Sequence, residues 1–141
     1  MTTEEFIREF EHTGDAGIEV EAPSRADLFA CAAIGVARIM VAPDGIVPRE
    51  THTITVFGDT DEELMHEALS DALNLFLGDD FIWRDATVEE HPGMIVLNLT
   101  GEQFDPERHE LLTELKAVTY HQLRVERSGD EGWQARIVFD V

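Results

Sequence analysis

The chain has 141 residues, 43% of them hydrophobic, and 30 acidic side chains against 10 basic ones give it a net charge of −20. That length fits one domain with a real core and leaves little room for two, and no apolar run is long enough to span a bilayer. A surface so acidic repels phosphate backbones, so direct nucleic-acid binding is not expected, whereas a basic protein partner or a cation is.

Residues 6–11 read as a first strand, and residues 12–17, H-T-G-D-A-G, as a polar, glycine-assisted turn. Residues 18–22 alternate and form a second strand. Ser24 is placed to cap a helix, with Asp27 three residues on. That helix carries Leu28, Ala32, Val36 and Ile39 or Met40 on one face and ends at Pro43-Asp44-Gly45. Residues 51–57 are rich in β-branched side chains, with Ile54 and Val56 on one side. Thr60 and Glu63 make a capping box for a second helix, in which Leu64, Ala68, Leu69, Ala72, Leu73 and Phe76 recur at helical spacing before residues 78–80 stop it. Residues 81–90 and 94–100 are strands joined by a tight turn at His91-Pro92-Gly93. Residues 101–109 read as a polar loop, 115–127 as one long strand, 128–132 as a hairpin loop and 133–141 as the final strand. The order β-β-α-β-α-β-β-β-β predicts the α+β class: a mainly antiparallel β-sheet packed with two α-helices, in a single domain over residues 1–141.

Familiar catalytic signatures are missing. No phosphate-cradling glycine loop precedes the lone lysine, Lys116, and there is no G-x-S-x-G. Cys31 is the only cysteine, which excludes an internal disulfide and a cysteine-based zinc site. Its place in the apolar first helix predicts a buried, inert thiol. The histidines at 12, 52, 66, 91, 109 and 121 show neither H-E-x-x-H nor a short paired spacing. Each by itself reads as a surface or capping residue. The opening residues M-T-T-E-E have no basic or apolar region of a secretory signal, so a cytoplasmic protein is expected.

Three segments are not explained by folding alone. The first holds Asp15 in its turn, where an aspartate bonding nearby backbone is also the ordinary reading. The second is L-K-A-V-T-Y-H-Q-L at residues 115–123. Strand alternation puts Lys116, Val118 and Tyr120 on one face, and Ala117, Thr119 and His121 on the other. Nine of the ten basic residues are arginine, so Lys116 stands out against the composition, although a strand lysine also serves as an edge charge. In the third segment, Asp140 precedes Val141 and sets a side-chain carboxylate beside an α-carboxylate. Adjacent anions repel unless they are solvated or bridged by a cation. If Asp15 approached them, the three oxygen groups would suit a hard cation such as Ca²⁺ or Mg²⁺.

Together these segments resemble the archease family. H-T-G-D-A-G-I at residues 12–18 is similar to the family's H-T-A-D-x-G-I, with Gly14 in place of the usual alanine. L-S-D-A-L-N-L-F at residues 69–76 is similar to its second-helix segment, with Leu69 and Asp71 where Trp and Glu are common, a departure that bears on helix-surface contacts. Gly101, Asp105, Arg108 and His109, followed by Glu114 and K-A-V-T-Y-H at residues 116–121, resemble its central signature. V-F-D-V at residues 138–141 matches its usual ending, so the similarity runs from about residue 6 to residue 141.

The resemblance implies a non-enzymatic accessory protein. Archeases activate RtcB, the GTP-dependent RNA ligase of tRNA splicing and RNA repair, by promoting its guanylylation and repeated turnover. It also implies a divalent metal, calcium first with magnesium or manganese as alternatives, held by Asp15, Asp140 and Val141. The family's important lysine corresponds to Lys116, and His12 and His121 belong to the same segments on the partner-facing side. Two other readings stand beside this one. A metal-dependent hydrolase built on Asp15 and Asp140 would need an open metal position and a general base, for which His12 or His121 would have to serve. A generic metal-binding chaperone or scaffold would need neither.

Overall fold

The computed structural model describes residues 7–12, 15–129 and 132–141. Eight strands and two helices follow one another as β1 (Ile7–His12), β2 (Asp15–Ala22), α1 (Arg25–Met40), β3 (Glu50–Phe57), α2 (Asp61–Asp79), β4 (Phe81–His91), β5 (Met94–Gln103), β6 (Ala117–Val118), β7 (Arg124–Ser128) and β8 (Gly132–Asp140). A short 3-10 turn, Pro43–Gly45, follows α1. The class is α+β, and every strand pair is antiparallel. Five strands make one sheet, in which β8 lies between β2 and the β6–β7 edge with β1 beyond β2; the other sheet is β3-β5-β4.

Local chemistry sets the helix ends as the sequence predicts. The Ser24 hydroxyl accepts from the Asp27 N–H, and the Thr60 hydroxyl accepts from the Glu63 N–H. At the far end of α2 the helix runs on through Gly78, and Asp80 stops it by taking a left-handed φ of 57°. Arg25 ties the start of α1 to its neighbours, reaching Asp61 and Glu90 at 2.6 Å each.

The expectation of one apolar face on α1 is too narrow. Leu28, Ala32, Val36, Ile39 and Met40 are buried, but so are Phe29, Cys31, Ala33, Ile34 and Ala37. The helix packs on β1 and β2 of one sheet and on β4 of the other, so both sides are covered. Trp83, fully buried in β4, donates its indole N–H to the Ala33 carbonyl at 2.8 Å. Helix α2 is the amphipathic one: Leu64, Ala68, Leu69, Ala72 and Leu73 are buried, and Phe76 is half-buried at the margin. Leu69 is a core residue, so its departure from the family pattern alters packing rather than a surface contact.

Two further expectations are corrected. Residues 101–103 are not loop but the end of β5. A β-bulge between Trp83 and Asp85 lets the strands pass there so closely that a Cβ on Gly101 would lie 2.0 Å from the Ile82 carbonyl oxygen. Residues 115–127 are not one strand either. β6 is two residues long, and the chain leaves the sheet at residues 119–123 before β7 rejoins β8. Thr119 starts the departure, using both its N–H and its hydroxyl to reach the Val138 carbonyl. Gln122 completes it with a left-handed φ of 53°.

Candidate functional site

The register of the five-stranded sheet brings the three singled-out segments to one end of it. In β2, Ala16, Ile18, Val20 and Ala22 point to the core, so Asp15, Gly17 and Glu19 take the outer face. In β8, Ala135, Ile137 and Phe139 point inward, which leaves Arg136 and Asp140 outside. Asp15 is the cross-strand partner of Asp140. Partners of this kind share a face with their Cβ atoms about 4.5–5.5 Å apart. On the far side of Asp140 the partner is Ala117, and beyond Asp15 the backbone partner is His12, whose side chain lies outside the described residues. The turn expected over residues 12–17 is shorter than that, since β1 runs to His12 and β2 begins at Asp15, which puts Asp15 in a strand; residues 13–14 lie outside the described residues.

The same outer face shows how this end is held flat. A Cβ on Gly17 would lie 2.2 Å from the Phe10 ring, so the glycine is what lets that ring lie across β2. Arg136 stacks on Phe10, 4.0 Å from the ring centre, and bonds Glu19 at 2.6 Å. Glu19 also pairs with Arg8. These cations hold the Glu19 carboxyl below the usual range, with the Arg8 hydrogen bond the largest contribution.

Lys116 joins the aspartates through its backbone. Its N–H donates to the Asp140 carbonyl at 2.8 Å. Alternation from buried Val118 puts its exposed side chain on the helix side of the sheet, where it borders a groove with Phe76, Leu77 and Leu115. Asp15 and Asp140 occupy the opposite side, so the ammonium group and the carboxylates meet at the sheet's end from different faces. His121 is exposed in the 119–123 segment, off the aspartate row, and its N–H donates to the Thr119 hydroxyl. That segment leans on α2: the Tyr120 ring stacks on His66 with centroids 3.9 Å apart and planes 10° apart. His66 in turn donates from Nε2 to the Val118 carbonyl at 3.0 Å.

Sequence reasoning missed a second cluster. Glu102 and His109 are 4% exposed, not members of a surface loop. Glu102 accepts from the Val47 N–H at 2.6 Å, from Arg108 at 2.7 Å and from His109 Nε2 at 3.0 Å. Arg49 closes to 3.3 Å. The Asp105 N–H donates to His109 Nδ1 at 2.8 Å, so that nitrogen carries no proton and Nε2 is the donor toward Glu102. Arg108 first, then Val47 and His109, hold the Glu102 carboxyl down at about 2. The cluster fixes the start of the segment that leads to Lys116. The only clue in the sequence was the acid–histidine pair itself, since the partners that surround Glu102 come from residues 47–49 and 108–109.

Among the described residues no group of three or more His, Cys, Asp or Glu side chains gathers around one point. The aspartate row offers two carboxylates, and Val141, 42% exposed, follows Asp140. An all-oxygen set of this kind fits a hard cation rather than a thiophilic one. Cys31 is not a competing nucleophile, because burial pushes its thiol up to about 11.

The Archease protein family (MTH1598/TM1083) matches residues 7–141. A protein archease from Methanopyrus kandleri is 36% identical over 137 residues, covering 94% of this chain and 97% of that protein. A protein archease from Pyrococcus abyssi is 30% identical over 136 residues, covering 94% and 96%. The solution structure of protein 1598 from Methanobacterium thermoautotrophicum superposes with a TM-score of 0.77 at 22% identity, over 96% of this chain and 98% of that one, and so shares the fold. The match spans the start of β2 with Asp15, the segment with Lys116 and the stretch with Asp140: the chain belongs to the archease family.

Proposed function

We propose that this protein is a non-enzymatic activator of an RtcB-type, GTP-dependent RNA ligase, working in the cytoplasm in tRNA splicing and RNA repair. The observation that carries the reading is the register Asp15–Asp140–Ala117, which unites three segments far apart in sequence at one exposed sheet end. Asp15, Asp140 and the Val141 carboxylate would hold a divalent cation, calcium with magnesium or manganese as alternatives. Such an ion supplies fixed positive charge near phosphate oxygens. The chain's own contribution is to keep the two carboxylates on one face and to present Lys116 at the same sheet end from the other face. A lysine ammonium is a compact phosphate-binding charge that an arginine fork does not reproduce. In this reading the protein touches the ligase and not the RNA, consistent with a charge of −20. His12 and His121 flank the contact.

The deciding experiment is multiple-turnover RNA ligation by the cognate ligase, with and without this protein. Wild type is expected to stimulate it. Lys116→Ala should abolish the effect and Lys116→Arg should remove most of it, both with unchanged melting temperature. Asp15→Asn should lower calcium affinity in calorimetry, and a peptide tag added after Val141 should weaken it further. Full stimulation by both Lys116 variants would reduce that residue to an edge charge. GTP consumption by the pure protein, lost in Asp15→Asn, would replace the activator reading with the hydrolase one.

A further inference from the structure

Beside Lys116 lies a groove that the aspartate row does not use. It measures about 370 Å³ and is lined by Phe76, Leu77, Leu111, Glu114, Leu115 and Lys116, a size that takes one or two large side chains. Leu77 and Leu111 are 50% and 42% exposed, and Leu112, next in the chain, is 52% exposed. A single exposed leucine needs no explanation, but two lining one groove, with a third next to them in the chain, form a patch. The backbone holds them there. The Leu112 N–H donates to the Met40 carbonyl at 2.7 Å, the Ala42 N–H to the Glu110 carbonyl at 3.1 Å, and Leu111 bridges to Val41. Leu115 is buried beneath the groove.

The surroundings say what kind of occupant fits. Glu114 lines the groove, Glu110 precedes Leu111, and Asp79 and Asp80 follow Leu77 at the end of α2; all four are exposed. The C-terminus of α2 adds its own partial negative charge. Among the described residues that line the groove, Lys116 is the one cation against these acids. A second copy of the chain, at −20, brings the wrong charge.

We propose that this groove is a protein docking site that takes an apolar side chain from a segment carrying lysine or arginine on either side of it. The proposal rests on the activator reading: the segment belongs to the ligase, and the groove seats it against Lys116, at the sheet end whose other face carries the aspartate row. Docking and activation are then separate jobs of neighbouring surfaces. Apolar anchors of this kind carry much of the affinity at an interface, and the acidic rim adds steering that salt weakens.

The test is calorimetric binding of the ligase, run beside the ligation assay, with wild type, Leu77→Asp, Leu111→Asp, and Leu77→Met with Leu111→Met. The aspartate variants are expected to bind about tenfold or more weakly and to need proportionally more protein for full stimulation, reaching the wild-type plateau. The methionine variant should bind like wild type, and added salt should weaken wild-type binding. Should Leu77→Asp disturb α2, Leu111→Asp, outside any helix or strand, still decides the matter. Binding of both aspartate variants at wild-type strength, with stimulation intact, overturns the groove alone. Wild type that neither binds nor stimulates the ligase overturns the activator reading, and the docking proposal with it. A wild-type dimer in sedimentation that Leu111→Asp dissolves would assign the groove to a second copy instead.

Discussion

Glu102 is a carboxylate removed from water in a chain with an excess of acids, and it is held there by four donors: Arg108, Arg49, His109 and the Val47 N–H. Its folded carboxyl titrates at about 2, against 4.5 for an unperturbed one. The folded state therefore binds fewer protons than the unfolded state between those values. The stability this contributes is complete above pH 4.5 and is lost as pH falls toward 2. Glu102→Gln should lower the melting temperature at neutral pH and flatten the acid limb of the stability curve; melts between pH 2 and pH 7 check it. Cys31 makes the opposite case. With its thiol raised to about 11 and its side chain buried, it should stay unreactive toward a thiol reagent at pH 8 until the protein is unfolded. The sequence foretold Cys31 from its apolar helix. It did not foretell Glu102, because the burial of an acid depends on partners from two separate stretches, residues 47–49 and 108–109.

At the scale of elements, legibility follows how local the determinant is. Caps and the apolar stripe of α2 are written within a few residues and appear where the spacing puts them. The split of β6 from β7 is not local. L-K-A-V-T-Y-H-Q-L has strand propensity throughout, but the hydroxyl of Thr119 and the His66–Tyr120 stack draw the middle out of the sheet. For the site, Asp15, Lys116 and Asp140 could be named from their segments. Their convergence could not, since it depends on β8 entering between β2 and β6. The outer face of β2 offers a direct test. Gly17→Ala should destabilise the protein by about 1–3 kcal/mol, the usual range for overpacking, because the Phe10 ring must move. Adding Phe10→Ala should make the glycine change nearly neutral, and a double-mutant cycle by urea unfolding measures the coupling. In α2, Leu73→Ala should cost about 2–5 kcal/mol as a core truncation.

For the whole molecule the dominant quantity is charge. Thirty acidic groups around a 141-residue chain repel one another in the compact state. The ion pairs of Arg25 and Arg136, which oppose this, are partly exposed. Salt shortens the reach of repulsion, from roughly 10 Å at 0.1 M to roughly 3 Å at 1 M. The melting temperature should therefore rise with sodium chloride over that range; a fall would mean that the arginine pairs outweigh the general repulsion. The position of β8 has a different kind of consequence, one of timing. Ribosomes deliver a chain from its N-terminus, and β2 emerges long before the strand that must lie against it. Until β8 arrives, the outer edge of β2 is bare and the pairing of Asp15 with Asp140 cannot form. The site is thus assembled only once β8, far downstream of β2, has been made, however well the helices have formed by then. Pairing at such sequence separation is intrinsically slow, which leaves the exposed hairpin edge open to wrong partners during synthesis.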